Sequence, residues 1–441
     1  MVSRRMIVGA ALGSLLLSAC ISGTGGSSSD GGSEEGGPTV IRYFVGIEET
    51  PELEAEAKTI IEDFEAENPD IDVERESISA EDQRTVIQTR LRSPQPPDVF
   101  GFDTGPGFAG VLAKADLLYP LEDAYKEHDW PVYDWAKARV TYDGVLSGVP
   151  GSVEEIGVFY NQDLFSELGF EEPQTIEELD QIAQAVKTEG LIPFAFGDQE
   201  QWPAGHLFSI AASNVLGPEG LDQALYGSAK WNSPEVVEGI DLMFSEFVEK
   251  GYYPEDVNAI TYEDANNLFY AGKAAMAPTG TWLVPEIDST VQDFKVGFFP
   301  FPAIDDTGIA PPSGVGGGLF VAADTEEPEA ALKLIDYLQF NEQRVKEDLE
   351  RANTIPAFKV DTSDLDLTPL FRSVLDDLAE AENPDSFGYN IDVLAPAGFN
   401  DVMFKGFQSV LAGERTAQEQ ADALQDAYAE AKANGETLEK P

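Results

Sequence analysis

PGSVEEIGVFYN, residues 150–161, ends as a strand and opens on two acids. Ile156, Val158, Phe159 and Tyr160 form the apolar run of a strand entering a core, with Glu154 and Glu155 at its entrance. Burying an unpaired carboxylate is costly, so acids in this position call for a partner or a purpose. Side chains alternate along a strand, so the two carboxylates face opposite ways. Upstream, TVIRYFVG reads as a strand ending at Gly46, and Leu53, Ala57, Ile60, Ile61 and Phe64 recur at helical spacing over 51–68. IDVERESI is a second strand, 81–91 a second helix, and PPDVFGFD a third strand built on Val99, Phe100 and Phe102. Strands alternating with helices predict parallel βαβ units. Ligands of open α/β sheets sit beyond the carboxyl ends of the strands, here Gly46–Glu48 and Asp103–Thr104.

Downstream, Thr175 with Glu178 has the spacing of a capping box at the head of TIEELDQIAQAVKTEG. Helices are predicted through HLFSIAASNVLG, SPEVVEGIDLMFSEFVEKG and TYEDANNLFYAGKAAM. VGFFPFPA and GGGLFVAAD are expected strands, separated by IDDTGIAPPSGVG as a loop, and a helical tail closes the chain. At 441 residues the chain exceeds the size at which one core keeps growing, so two domains are expected.

The charge balance is extreme, with 27 Lys and Arg against 81 Asp and Glu, a net of −54. A nucleic acid would be repelled over the whole surface. The acids are spread along the chain, which predicts a solvating skin suited to concentrated salt, where repulsion is screened within a few ångströms.

The single cysteine, Cys20, cannot close an internal disulfide. MVSRRMIVGAALGSLLLSAC joins a basic start to an apolar run too short for a comfortable membrane span, which predicts a secretory signal over 1–19. LSAC matches the lipobox of bacterial and archaeal lipoproteins, making Cys20 the expected lipid anchor rather than a catalytic thiol. Arg4-Arg5 fits both ordinary export and the twin-arginine route. The Gly, Ser and acid residues that follow form a flexible tether over 20–38. The folded part is therefore expected outside the cytoplasmic membrane, held to its outer face.

No catalytic pattern stands out. There is no GxSxG, HExxH or Walker A motif, and His128 and His206 are the only histidines, so no metal site and no cofactor are expected. GVGGG, 314–318, leads into a strand, the wrong context for a phosphate loop.

FEAENPDIDV, PPDVF, ADLLYPLED, GVPGSVEEIGVFYNQDLF, PQTIEELDQIAQAV, FYAGKAAMAPTGTW and LAGERTAQEQADALQ follow one another in an order that resembles the family 1 extracellular solute-binding proteins of ATP-binding-cassette importers, the group that includes maltose-binding protein. The resemblance spans essentially 40–435. It implies a two-lobed α/β clamp of type II, with three hinge crossings and a ligand cleft between the lobes. Lobe one would comprise 39–150 with 314–354, and lobe two 151–313 with 355–441. The crossings would fall near Gly151–Glu155, Ser313–Gly317 and Thr354–Phe358.

The resemblance also implies site residues. Glu154 aligns with a carboxylate that hydrogen-bonds sugar hydroxyls in maltose-binding protein; the bland alternative makes both acids hinge-surface charges. Asp103 ends the third strand, where the family offers a carboxylate or an aromatic to ligand, although an ordinary loop acid fits the same place. Trp202 and Trp282 match aromatic regions that stack on pyranose rings, Trp202 being equally readable as a core residue. Gly316 and Gly317 would admit backbone amides to the ligand, and Glu48 and Asn400 occupy matching cleft-side positions with different residue types. Trp130, Trp135, Trp231 and Tyr160 read as packing or surface residues. The basic residue expected after the first strand is absent, which speaks against maltodextrin. The expectation is a monomeric, non-enzymatic receptor that passes a neutral mono- to oligosaccharide to a permease. A polyol, glycerol phosphate, polyamine or peptide is the alternative cargo, and a glycoside hydrolase built on Glu154 and Asp103 the alternative activity. An anionic cargo would need Arg or Lys, which the expected cleft positions do not supply.

Overall fold

The computed structural model describes residues 37–47, 50–304, 311–380 and 388–437. The signal, nearly all of the tether with Cys20, and Glu48 lie outside the described residues. β1 (Thr39–Gly46), β2 (Ile71–Ile78) and β3 (Val99–Asp103) alternate with helices α1 (Pro51–Glu67) and α2 (Ala80–Leu91). Both helices start where the sequence supplies a hydroxyl cap: Thr50 accepts from the Leu53 N–H and Ser79 from that of Asp82. β1 pairs in parallel with β2 and with β3, as the alternation predicts.

A short hairpin of β4 (Thr141–Tyr142) and β5 (Val145–Leu146) leads to β6 (Gly148–Pro150), and the opening stretch itself is β7 (Ser152–Asn161). The later strands are β8 (Ile192–Phe194), β9 (Ala274–Gly280), β10 (Val296–Phe299), β11 (Pro312–Val315), β12 (Gly317–Val321), β13 (Ile355–Pro356) and β14 (Gly388–Tyr389). Sheet one runs β2-β1-β3-β12-β6; sheet two runs β14-β11-β7-β9-β8, with β10 and β13 also on β7. Each sheet carries its own cores, so the molecule is a two-lobed α/β fold. In sheet one Val99, Leu319 and Val321 face one core, and Phe100, Phe102 and Phe320 the other. In sheet two Ile156, Val158 and Tyr160 pack with Leu207, Phe208 and Ile210 of the long helix Trp202–Leu225. Every residue of that helix from Pro203 to Val215 is buried, as an all-round apolar helix must be, and beyond it Gly217, at φ +62°, kinks the helix ahead of Pro218. Each fully buried Leu, Ile or Phe contributes on the order of 1.5–3 kcal/mol.

Strands β7, β11 and β13 lie side by side where the chain leaves one sheet for the other. Ser313, Gly314 and Val315 pair with Glu155, Glu154 and Val153, and Ile355 and Pro356 pair with Val153 and Ser152. Gly151, between β6 and β7, donates its N–H to the Gly317 carbonyl at 2.9 Å.

Two expectations fail. The helix predicted through Met276 ends at Tyr270, because Gly272 adopts φ +65° and turns the chain into β9. The loop predicted between β10 and β12 contains β11, whose Pro312 stands at the strand's first position, where a proline is tolerated.

Candidate functional site

Register settles where the two acids point. Ile156 and Val158 face the long helix, whereas Phe159 packs on the other face with Phe269 and Phe298. Glu154 therefore shares the long-helix face and Glu155 the opposite one. Glu155 is 2% exposed, and its backbone N–H donates to Thr281 Oγ1 at 3.1 Å. Glu154 is half-buried; its Oε1 accepts from Ser152 Oγ at 3.4 Å, and a Cβ on Gly316 would lie 2.5 Å from its Oε2. Glycine at 316 is what lets the carboxylate settle against the strand junction.

Trp282 reaches the same face by a similar device. Gly280 is the register partner of Ile156, so a side chain there would project beside it. The indole fills that space, since a Cβ on Gly280 would stand 1.8 Å from Trp282 Cζ3. Its N–H donates to Tyr262 Oη at 3.0 Å, and that hydroxyl lies 2.7 Å from Thr279 Oγ1. Trp202 and His206 stand one turn apart at the head of the long helix. The Trp202 ring centre is 4.5 Å from Tyr262, 4.9 Å from His206 and 6.4 Å from Trp282, and His206 is 5.1 Å from Trp282. A small, partly open hollow of about 10 Å³ is lined by Ala195, Phe196, Trp202, His206 and Tyr262, at the lower limit for one water.

Asp103 ends β3 opposite Gly317 of β12. Arg84 of α2 grips it with both ends of a fork, Nε to Oδ2 at 2.6 Å and Nη2 to Oδ1 at 3.0 Å, while its guanidinium carbon lies 5.3 Å from the Phe108 ring centre. Burial works against the Arg84 charge, but Asp103, by attraction and hydrogen bonding, more than offsets it, with smaller help from Asp392 and Glu81; Arg84 is held more firmly protonated than usual. Asp392 belongs to the loop after β14, and its Oδ2 is 3.5 Å from His206 Nε2. Gly105 and Gly107 bring the loop after β3 against that segment: a Cβ would stand 1.7 Å from the Val393 carbonyl oxygen at the first and 2.9 Å from that of Ala395 at the second.

Of the residues expected from sequence, Glu154, Trp202 and Trp282 lie on the long-helix face of sheet two, and Gly316 and Gly317 join them to Asp103. Asn400 does not present its side chain: it is 4% exposed, and its amide donates to the Asp392 carbonyl at 2.6 Å. Glu48 lies outside the described residues. Trp130 and Trp231 are buried in cores, as is Tyr160. None of the expected positions is itself a cation, but Asp103 brings one with it as its ion-pair partner, Arg84, which sequence reasoning passed over. Sequence reasoning also passed over Tyr262, Asp392 and His206. The spacing of Trp202 and His206 on one helix face was the available signal for His206, whereas Asp392 sits in irregular chain that no periodicity marks. Together these side chains offer carboxylate acceptors, guanidinium donors and flat rings. Among the described residues no group of three or more His, Cys, Asp or Glu could hold a metal ion.

The sequence model of the family described as bacterial extracellular solute-binding protein matches residues 48–345. The multiple sugar-binding protein of Streptococcus mutans is 29% identical over 336 residues, 74% of this chain and 76% of that one. Among solved structures, a chitin oligosaccharide binding protein superposes with a TM-score of 0.81 at 24% identity, covering 90% of this chain and 100% of that one. SBP RafE in complex with raffinose superposes at 0.70 with 21% identity, covering 89% of this chain and 100% of that one.

Proposed function

Because the chain belongs to the bacterial extracellular solute-binding proteins, we propose that it captures a neutral sugar between its two lobes and delivers it to an importer in the membrane. The observation that carries this reading is the aromatic group Trp202, Tyr262 and Trp282 standing beside Glu154, with glycines at 280 and 316 clearing space for the indole and the carboxylate. Flat rings suit the C–H faces of a pyranose, and carboxylates accept strongly from hydroxyls. The names of similar proteins that bind multiple sugars, chitin oligosaccharide and raffinose support the same class.

In this reading lobe one comprises 39–150 with 314–354 and lobe two 151–313 with 355–441, joined through β7, β11 and β13. Closure follows from contacts that are stronger when the lobes are shut. A few hydrogen bonds and one or two stacked rings, each on the order of 1 kcal/mol, supply such a bias. Glu154, Asp103, Trp202 and Trp282 contact the sugar, backbone at Gly316 and Gly317 approaches it, and Asn400 supports the Asp392 loop. Lipid on Cys20 holds a monomeric receptor at the outer face of the cytoplasmic membrane, and the protein performs no chemistry on its cargo.

A thermal-shift screen at molar salt tests this, with raffinose, chitin oligosaccharides and other neutral sugars. A sugar bound only by the folded form stabilises it by about 2.7 kcal/mol at a hundredfold excess over Kd, so the melting point rises. A panel in which no neutral sugar raises it, or one in which the sugars are hydrolysed, overturns the reading.

A further inference from the structure

We propose that Arg84 is a specificity-determining residue of the cleft, whose outer N–H edge reads, together with the remaining lone pairs of Asp103, two adjacent hydroxyls of a neutral sugar and turns away sugar acids. This deepens the sugar reading above and rests on it.

Arginine carries five N–H donors in a rigid fork. Here Nε and Nη2 each give one to Asp103, and among the described residues the remaining N–H groups meet no acceptor. The Asp103 carboxylate has about four lone-pair sites, so accepting two bonds leaves it able to take a hydroxyl proton. Donor and acceptor thus lie side by side, the pattern that two neighbouring hydroxyls complement. The fork is fixed along one edge by Asp103 and on one face by Phe108, so little rotamer freedom remains to be lost on binding. Both partners stay reachable, with side chains 32% and 23% exposed for Arg84 and Asp103.

The surrounding charge decides which ligand fits. A lone arginine edge is also suited to a carboxylate or phosphate. Arg84, however, is already matched by Asp103 and lies within the field of Asp392 and Glu81 as well. A sugar acid would find that guanidinium charge already neutralised and would bring a further anion among carboxylates, and a like charge in a closed site is expensive. A neutral ligand meets only hydrogen-bonding groups.

The alternative role for this ion pair is to brace lobe one without touching cargo. Titration calorimetry distinguishes the two. Wild type and Arg84→Met are titrated with raffinose, chitin oligosaccharides, glucuronic acid and galacturonic acid, then with monodeoxy derivatives of the tightest neutral binder. The expected result is neutral binding by wild type, a loss of about tenfold or more in Arg84→Met, and one or two hydroxyls whose removal weakens wild type but no longer matters in the variant. A brace would leave every deoxy penalty unchanged, and that outcome overturns the proposal, as does tight binding of a sugar acid by wild type. Should Arg84→Met fail to fold, Arg84→Lys, which keeps the charge and loses the fork, carries the same comparison. Wild type that binds no sugar at all removes the sugar reading itself; wild type that binds while the variant matches it leaves that reading standing and removes this one.

Discussion

At Gly280 the backbone is ordinary, with φ −100° and ψ 166°, so alanine would be tolerated by the main chain. The glycine is required instead by Trp282, whose ring lies where a methyl group would go, 1.8 Å from the Cβ position. Gly280→Ala should therefore move the indole and lower sugar affinity about tenfold or more, with the far-UV circular dichroism unchanged. In a Trp282→Ala background the same alanine should change affinity by less than about twofold, because nothing is left to displace. Equal effects in both backgrounds would mean that glycine serves the strand and not the ring. Gly316, whose Cβ position lies 2.5 Å from Glu154 Oε2, admits the parallel experiment with Glu154→Ala as the background, since glutamine would leave the clash in place. At PTGTW the cause is local, Trp282 folding back over Gly280, whereas Gly316 makes room for a carboxylate that a distant strand brings in, which no local spacing announces. Arg84 was not legible, since its partner Asp103 is nineteen residues away and only the parallel pairing of β1 with β3 brings α2 beside it.

The long helix shows how an element can carry a pH dependence. Its first turn is closed by Asp198, whose Oδ1 accepts the Ala204 N–H at 2.8 Å, while Oδ2 is buried without a partner. Burial first, with Glu200 adding to it, pushes this carboxyl up to about 8 against the hydrogen bond from Ala204. The folded chain then holds a proton that the unfolded chain has lost above about pH 4. Stability from this group is greatest below pH 4, falls as pH rises between about 4 and 8, and is level beyond. One pKa unit corresponds to about 1.4 kcal/mol, so the loss amounts to a few kcal/mol. Asp198→Asn keeps the acceptor and removes the titration. Its melting point at pH 8.5 should exceed that of wild type, and its fall from pH 5 to 8.5 should be smaller; identical pH profiles would show that Asp198 is ionised throughout. Elements of this kind were readable from sequence where cap and periodicity coincide, as at Thr175, which caps the helix Ile176–Thr188 and its buried Leu179, Ile182, Ala183 and Val186. β9 was not, because Ala274–Gly280 reads AAMAPTG, alanine-rich and weak in strand signal, and becomes a strand through its pairing with β7 on one side and β8 on the other.

For the molecule as a whole, alternating βαβ segments made the α/β class legible, yet the division into two sheets was reached through resemblance. The reason is that sheet two is assembled from strands far apart in the chain, β7 lying between β9 and β11, so no local pattern announces it. Charge, by contrast, is a property of composition and needs no fold to be read. With 81 acids against 27 bases the folded chain confines like charges that the unfolded chain spreads apart. Screening reaches about 10 Å at 0.1 M salt and about 3 Å at 1 M. Fixed ion pairs do little to relieve the excess, because Arg and Lys are too few to partner most of the acids and exposed pairs contribute about 0–1 kcal/mol each. We therefore expect the melting point of the unliganded protein to climb steeply between 0.05 and 1 M sodium chloride and then to flatten as screening saturates. Potassium chloride should give the same curve, since screening depends on ionic strength and not on the identity of the cation. A melting point independent of salt over that range would mean that the acidic skin is held apart by its own spacing, and that the charge is there for solubility alone. A rise that continues linearly to 3 M would point instead to salt exclusion from apolar surface, which strengthens burial whatever the net charge.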